Sequence, residues 1–319
     1  MRLVMYSALE APRLGAVCQN NVVDLNRAHH AYLAASGDDC ESRDLADALV
    51  PTDSLEFLRG GRRSAEAATT TLMWVLEQLR AGNFPTGVWG EKLVQPLSGV
   101  RLAAPVLRPR KIVCVGLNYR DHAEEQNAKI PKNPILFAKF DRSLIGHGED
   151  VEYPAVTEQL DYEAELAIVI GRSGRHIPVA TAMDHVAGYA AFNDITSRDV
   201  QFADRQWLRG KMGDTHAPFG PYLVTADEVP NPGALKIRLW RNDELLQDSS
   251  TSQLIFGIAE LIAFTSASVT LETGDVIATG TPGGVGFARN PPVFLQAGDS
   301  VRVEIDEVGV LENRIVKRS

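Results

Sequence analysis

Apolar residues recur along this chain in two rhythms. Over Ser64–Arg80, Leu72, Val75, Leu76 and Leu79 fall at three- and four-residue spacing and predict an amphipathic helix. The alanine-rich stretch Asn26–Ala35 predicts another, after strand-like pieces at Arg2–Tyr6, Ala16–Cys18 and Asn21–Leu25. Pro105, Pro109 and the basic run Arg108–Lys111 then mark a break. Beyond it come short apolar runs punctuated by Gly and Pro: Ile112–Val115, Ile135–Phe140, Glu163–Ile170, Leu235–Trp240, Val276–Ala278 and Val301–Ile305. Helices are sparser there, at Tyr119–Gln126, Val179–Asp184 and Leu254–Phe264. No regular crossover helices separate the strands, so a doubly wound parallel sheet is not expected. The pattern predicts an α+β, mainly β chain, with a small N-terminal α+β domain over residues 1–104 and a strand-rich domain over 105–319.

Composition narrows the partners. The 319 residues carry 32 Lys and Arg against 41 Asp and Glu, a net charge of −9. Such an acidic chain lacks the basic footprint of a nucleic-acid binder. It can still take an anionic small molecule where a bound cation reverses the local field. No apolar run reaches the ~18 residues that span a bilayer, so no membrane partner is expected. Three widely spaced cysteines, Cys18, Cys40 and Cys114, supply neither a disulfide framework nor a zinc motif. A reducing, cytoplasmic setting is expected.

The densest chemistry lies in Leu160-Asp161-Tyr162-Glu163-Ala164-Glu165-Leu166. On a strand Glu163 and Glu165 share a face, and that face continues into Ala167 and Val169. Two carboxylates on a buried face repel and are costly to desolvate. A hard divalent cation such as Mg²⁺ relieves both problems; a solvent-facing pair at a strand start is the bland alternative. Asp194, in an otherwise apolar run, is a third candidate ligand, or else a cap or Asx turn. Asp199 is weaker, because its neighbour Arg198 offers it a simple ion pair. Lys211 follows a glycine and could offset negative charge on a ligand, or be a solvated surface lysine. His122 and Glu125 are three apart on a predicted helix, a spacing that suits a general base or a surface ion pair. Thr279-Gly280-Thr281-Pro282-Gly283-Gly284-Val285-Gly286 follows a strand and could bind a carboxylate through backbone N–H groups, or simply turn.

The order of these segments is more specific than any one of them. With Lys111–His122, Pro134–Lys139, Asp161–Leu166, Asn193–Gln201, Gly210-Lys211 and Thr279–Gly286, the chain resembles the fumarylacetoacetate hydrolase superfamily, from about residue 105 onward. It is most similar to longer members with an extra N-terminal region. The resemblance implies a mixed β-roll or β-sandwich catalytic domain, a homodimer and a Mg²⁺ site, with Mn²⁺ or Ca²⁺ as substitutes. Glu163, Glu165 and Asp194 match the metal ligands, and Lys211 the active-site lysine. His122 and Glu125 match a water-activating dyad. Tyr119, Lys139, Gln201, Gly280 and Thr281 match substrate-binding positions. Met212-Gly213 departs from the commoner residues after the lysine, which bears on pocket shape. The implied substrate is a small anionic 2-oxo acid. The first expectation is C–C bond hydrolysis of acylpyruvate or fumarylpyruvate type, or oxaloacetate decarboxylation. The alternative is a 2-hydroxyhepta-2,4-diene-1,7-dioate isomerase or oxaloacetate tautomerase, and a non-catalytic scaffold comes last. The helix bearing His122, between Gly116 and Pro131, is expected to act as a lid.

Overall fold

A computed structural model describes residues 1–7, 11–37, 41–203 and 206–317. Two sheets carry the architecture. The larger runs, in spatial order, through Val94–Pro96, Asn21–Asp24, Arg13–Cys18, Arg2–Ser7, Ala217–Thr225, Val186–Asn193, Ala164–Ile170, Val276–Ala278, Ile112–Gly116 and Ile135–Lys139. The smaller holds Glu244–Ser250, Lys236–Arg241, Ser300–Ile305, Gly309–Val316 and Asp150–Glu152. Most pairings are antiparallel; Val276–Ala278 with Ile112–Gly116 is a parallel exception. The fold is thus α+β with sheet-on-sheet packing, not a doubly wound sheet.

The Ala164–Ile170 strand is buried at every position. Leu166, Ile168 and Ile170 pack with Ile237, Leu239, Val303 and Ile305 of the smaller sheet. Ala167 and Val169 pack on the other side with Leu3, Leu14 and Phe57. Its even apolar run after Glu165 reflects that two-sided cover. The expected domain boundary near residue 104 therefore crosses a shared sheet and a shared core. Arg2–Ser7 pairs with Ala217–Thr225, so the N-terminal strands extend the sheet that bears the site.

Local signals explain the helices. Asp24 caps Leu25–Ala35 by accepting from the Arg27 amide at 3.0 Å. Asp53 caps Ser54–Arg80 in the same way, through Leu55 and Glu56. That helix begins ten residues before the predicted one and breaks at Gly61, whose φ of 58° only glycine adopts readily. Gly60-Gly61 masks the first segment from a periodicity reading. The helix Ser42–Leu49 was not anticipated from the pattern. The predicted helix Val179–Asp184 is a 3₁₀ segment over Val179–His185.

Candidate active site

Glu163 ends the approach to the Ala164–Ile170 strand, and Asp194 leaves the adjacent Val186–Asn193 strand. Antiparallel register sets Ala164 opposite Asn193, and the Asp194 amide donates to the Glu163 carbonyl at 2.9 Å. Two residues thirty-one apart in sequence thus meet at one end of a hairpin. Glu163, Glu165 and Asp194 each bring a carboxylate oxygen within 4.8 Å of the others, and all three are buried.

Cations surround the cluster unevenly. Lys211 Nζ donates to Glu163 Oε2 at 2.8 Å and to Asp194 Oδ2 at 2.7 Å. Arg198 Nη2 lies 2.6 Å from Glu163 Oε1, and Lys139 Nζ lies 2.8 Å from Asp194 Oδ1. Glu165 receives one hydrogen bond, from the Gly280 amide to Oε2 at 2.8 Å, while its buried Oε1 has no partner. The electrostatics follow. Burial opposes ionisation of Glu163, but Lys211 and Arg198 outweigh it and bring its carboxyl down to about 2. Burial pushes Glu165 well above the usual carboxylate range, and Asp194 and Glu163 push it further. Burial works against the Lys211 charge, yet Asp194 and Glu163 hold it above its ordinary value. A hard cation beside the orphaned Glu165 oxygen would complete this all-oxygen donor set, so the residues fit a divalent metal.

His122, on the short helix Arg120–Glu125, is the second group. Its Nδ1 lies 2.6 Å from Glu125 Oε1, and Glu125 Oε2 accepts from the Gly284 amide at 2.7 Å. A carboxylate only accepts, so Nδ1 carries a proton, and in the neutral ring Nε2 holds the lone pair. The Gln126 amide nitrogen sits 2.8 Å from that Nε2. The glycine-rich loop joins both groups. Gly280 has φ +100°, and a Cβ there would lie 2.8 Å from Asn118 Cβ. Thr281 Oγ1 and the Pro282 carbonyl each accept from Gln247 at 2.9 Å, while Gln247 Oε1 accepts from the Ala164 amide. Gln247 thereby ties the loop to the strand of the carboxylates.

A cavity of about 140 Å³ opens among these residues. His122, Glu163, Gln201, Lys211 and Thr281 line it, together with Arg198. Larger cavities of about 760 and 690 Å³ lie elsewhere and hold none of the three carboxylates. The remaining sequence-predicted residues are close by but face differently. Glu125 stands behind His122, and Gly280 holds Glu165. Tyr119 is fully buried with no hydrogen-bond partner for its hydroxyl, and lies outside the cavity lining. Lys139 also lies outside it: its ammonium donates to the carbonyls of Ile195, Lys211 and His216 at 2.6–2.9 Å. As a strand-embedded clamp behind Asp194, it has little donor capacity left for a ligand. Lys211 is buried, not the solvated alternative. Arg198 does not pair with Asp199. It bonds Asp161 at 2.8 Å and covers the Phe287 ring at 4.4 Å, while Asp199 takes Thr157 and the Glu158 amide. Arg198, Asp161, Gln247 and Gln126 were not singled out from sequence. Only Gln126, one helical turn from His122, carried a local clue.

The profile described as fumarylacetoacetate (FAA) hydrolase C-terminal matches residues 111–316. The chain belongs to the fumarylacetoacetate hydrolase family. Among the relatives of this family member is the Rattus norvegicus protein named oxaloacetate tautomerase Fahd2a, mitochondrial. It is 40% identical over 99% of this chain and 92% of its own length. Among solved structures, the fumarylacetoacetate hydrolase from psychrophilic Exiguobacterium antarcticum superposes with a TM-score of 0.78 at 33% identity, covering 100% of both chains. Maleylpyruvate hydrolase from Sphingobium, solved with manganese(II) and pyruvate, gives 0.74 at 31%, again over 100% of both. This family member is an enzyme, in a family of hydrolases, isomerases and tautomerases. Among its described residues, no helix is long and apolar enough to cross a membrane.

Proposed function

We propose that this enzyme is a divalent-cation-dependent tautomerase of a small 2-oxo dicarboxylic acid of the oxaloacetate type. The observation that carries the reading is the small cavity lined by His122, Lys211 and Glu163, where His122 is paired with Glu125 and Glu163 belongs to the buried carboxylate cluster. About 140 Å³ is well below the ~300–1,000 Å³ of sites for drug-sized ligands, which favours a short substrate over a seven-carbon dienoate. The names of the relatives point the same way. Tautomerisation thus moves ahead of the hydrolysis and decarboxylation that the dyad alone suggested.

Glu163, Glu165 and Asp194 would hold the cation, which supplies polarisation of the 2-oxo group when bound. Mg²⁺ is the ion we expect, and Mn²⁺ is supported by the manganese in the maleylpyruvate hydrolase structure. Glu125 keeps the proton on Nδ1, leaving His122 Nε2 as the base. That nitrogen takes a proton from the carbon beside the keto group and returns it to the keto oxygen, or the reverse. No other reactant is consumed. The Lys211 ammonium offsets charge that develops on the oxygen. The Thr281 hydroxyl, whose oxygen accepts from Gln247, lines the cavity and keeps its O–H to donate to one substrate carboxylate.

The homodimer belongs to this reading. Its support is the exposed apolar edge at Ile135, Leu136 and Leu208, and sedimentation velocity tests it. The unbridged thiols of Cys18 and Cys114 fit a reducing compartment, the cytoplasm or the mitochondrial setting in the relatives' names; Cys40 lies outside the described residues. For the activity, enol absorbance of oxaloacetate is followed with Mg²⁺ or Mn²⁺ and after chelation, with coupled detection of pyruvate. Metal-dependent absorbance change without pyruvate is expected. Pyruvate appearing at the same rate would return the enzyme to decarboxylation, and cleavage of acetylpyruvate would return it to hydrolysis.

A further inference from the structure

We propose that Gln126 is a specificity-determining residue: its side-chain amide caps the His122 base and yields that nitrogen only to a substrate with a second carboxylate. The inference rests on the tautomerase reading and adds a device for choosing its substrate. His122 Nδ1 is committed to Glu125 at 2.6 Å, and in the neutral ring Nε2 then offers one in-plane lone pair, the acceptor that a donor-only amide nitrogen requires. The Gln126 amide nitrogen, 2.8 Å away, is a donor pointed at that lone pair, and it also lies 3.3 Å from the His122 carbonyl. One helical turn separates the two side chains, and both line the cavity. A base whose lone pair already accepts a hydrogen bond cannot take a proton from carbon or from water.

Displacing the amide requires a better acceptor. Water offers only a neutral exchange. A carboxylate accepts a charge-assisted hydrogen bond roughly twice as strong as a neutral one. A 2-oxo dicarboxylate has one carboxylate beside the keto group and another beyond the reacting carbon. The distal one can take the Gln126 amide while the carbon between them faces the freed Nε2. A 2-oxo acid ending in a methyl group leaves the cap in place. Water that enters with either substrate finds the nitrogen occupied, by the amide or by the reacting carbon.

The test compares wild type with Gln126→Met, which keeps length and loses the donor. Deuterium incorporation at carbon 3 above the uncatalysed rate is measured for oxaloacetate and for 2-oxobutyrate, which carries a methyl in place of the distal carboxylate. The ratio of kcat/KM for the two is expected to fall at least tenfold in the variant, mostly through faster exchange of 2-oxobutyrate. The ¹⁵N resonance of His122 Nε2, recorded without substrate, is expected to move as the hydrogen bond is lost. An unchanged ratio in a folded variant, or an unmoved nitrogen resonance, overturns the proposal. Wild-type enzyme that leaves oxaloacetate unexchanged would instead overturn the tautomerase reading, and the nitrogen resonance would still decide whether Gln126 caps His122.

Discussion

Glu165 and His216 show how burial shapes single residues here. Glu165 sits between two other carboxylates with one oxygen unpartnered, so its charge is tolerable only beside a cation. Glu165→Gln should keep the Gly280 hydrogen bond, since the amide oxygen still accepts. It is expected to weaken Mn²⁺ binding at least tenfold by calorimetry, while the melting temperature without metal holds or rises as the repulsion ends. Unchanged affinity would remove Glu165 from the ligand set. His216 is buried, and burial, with Lys139 nearby, depresses its imidazole to about 4 from 6.5. Between those values the unfolded chain binds a proton that the folded chain refuses. Stability therefore falls as pH drops from 6.5 toward 4, by about 3 kcal/mol from this group. Urea midpoints across that window check it: His216→Gln should flatten the slope, and an equally steep variant would place the acid lability elsewhere. The residues legible in the sequence were those whose charge is anomalous in an apolar run, Glu163, Glu165 and Asp194. Arg198 was not, because its sequence neighbour Asp199 is as good a partner on paper as Asp161, thirty-seven residues away.

The glycine-rich loop and the His122 helix are the elements that bring the two halves of the site together. Gly280 supplies both a positive φ and the amide that holds Glu165. Gly280→Ala strains that conformation and forces Cβ onto Asn118, at a cost of about 1–3 kcal/mol. Its metal affinity should fall along with its melting temperature. A variant that binds Mn²⁺ as wild type does would mean the loop does not position Glu165. The helix Arg120–Glu125 spans six residues and is held mainly by contacts to other elements. Arg120 donates to the Leu254 carbonyl at 2.7 Å, Ser249 to Asp121, and Gly284 to Glu125. So short a helix has little stability of its own. Its amides should exchange faster than those of Ala164–Ile170, and slow when a 2-oxo dicarboxylate is added. Equal protection in both states would rule out the expected lid. Element types were readable because period and punctuation are local. Gln247 was not, since a glutamine in a half-exposed strand gives no sign that it will link a strand and a loop.

At the scale of the whole molecule, the first hundred residues do more than decorate a catalytic domain. Leu3, Leu14 and Phe57 cover the face of the site-bearing strand formed by Ala167 and Val169. Arg2–Ser7 closes the sheet against Ala217–Thr225. A chain starting at residue 105 would leave that face and a long sheet edge in water. Unfolding in urea should therefore give one transition by fluorescence and circular dichroism, and the truncated chain should fail to fold to a soluble, metal-binding form. Two separated transitions, or a stable truncated enzyme, would restore the division at 104.

By itself the sequence determined the α+β character, most of the strands and the family, and it marked as candidates the three carboxylates, the lysine and the His122–Glu125 pair that the fold brings together. Each is written in local spacing or in an ordered string of motifs. The tertiary structure alone decided which partners those residues keep. Antiparallel register joined Asp194 to Glu163. Depth turned Lys139 toward backbone carbonyls, and competition gave Arg198 to Asp161 and Glu163. The fold also set the Gln126 amide against the His122 base. Charges and donors can pair with many groups at similar cost, and only the packed chain selects among them.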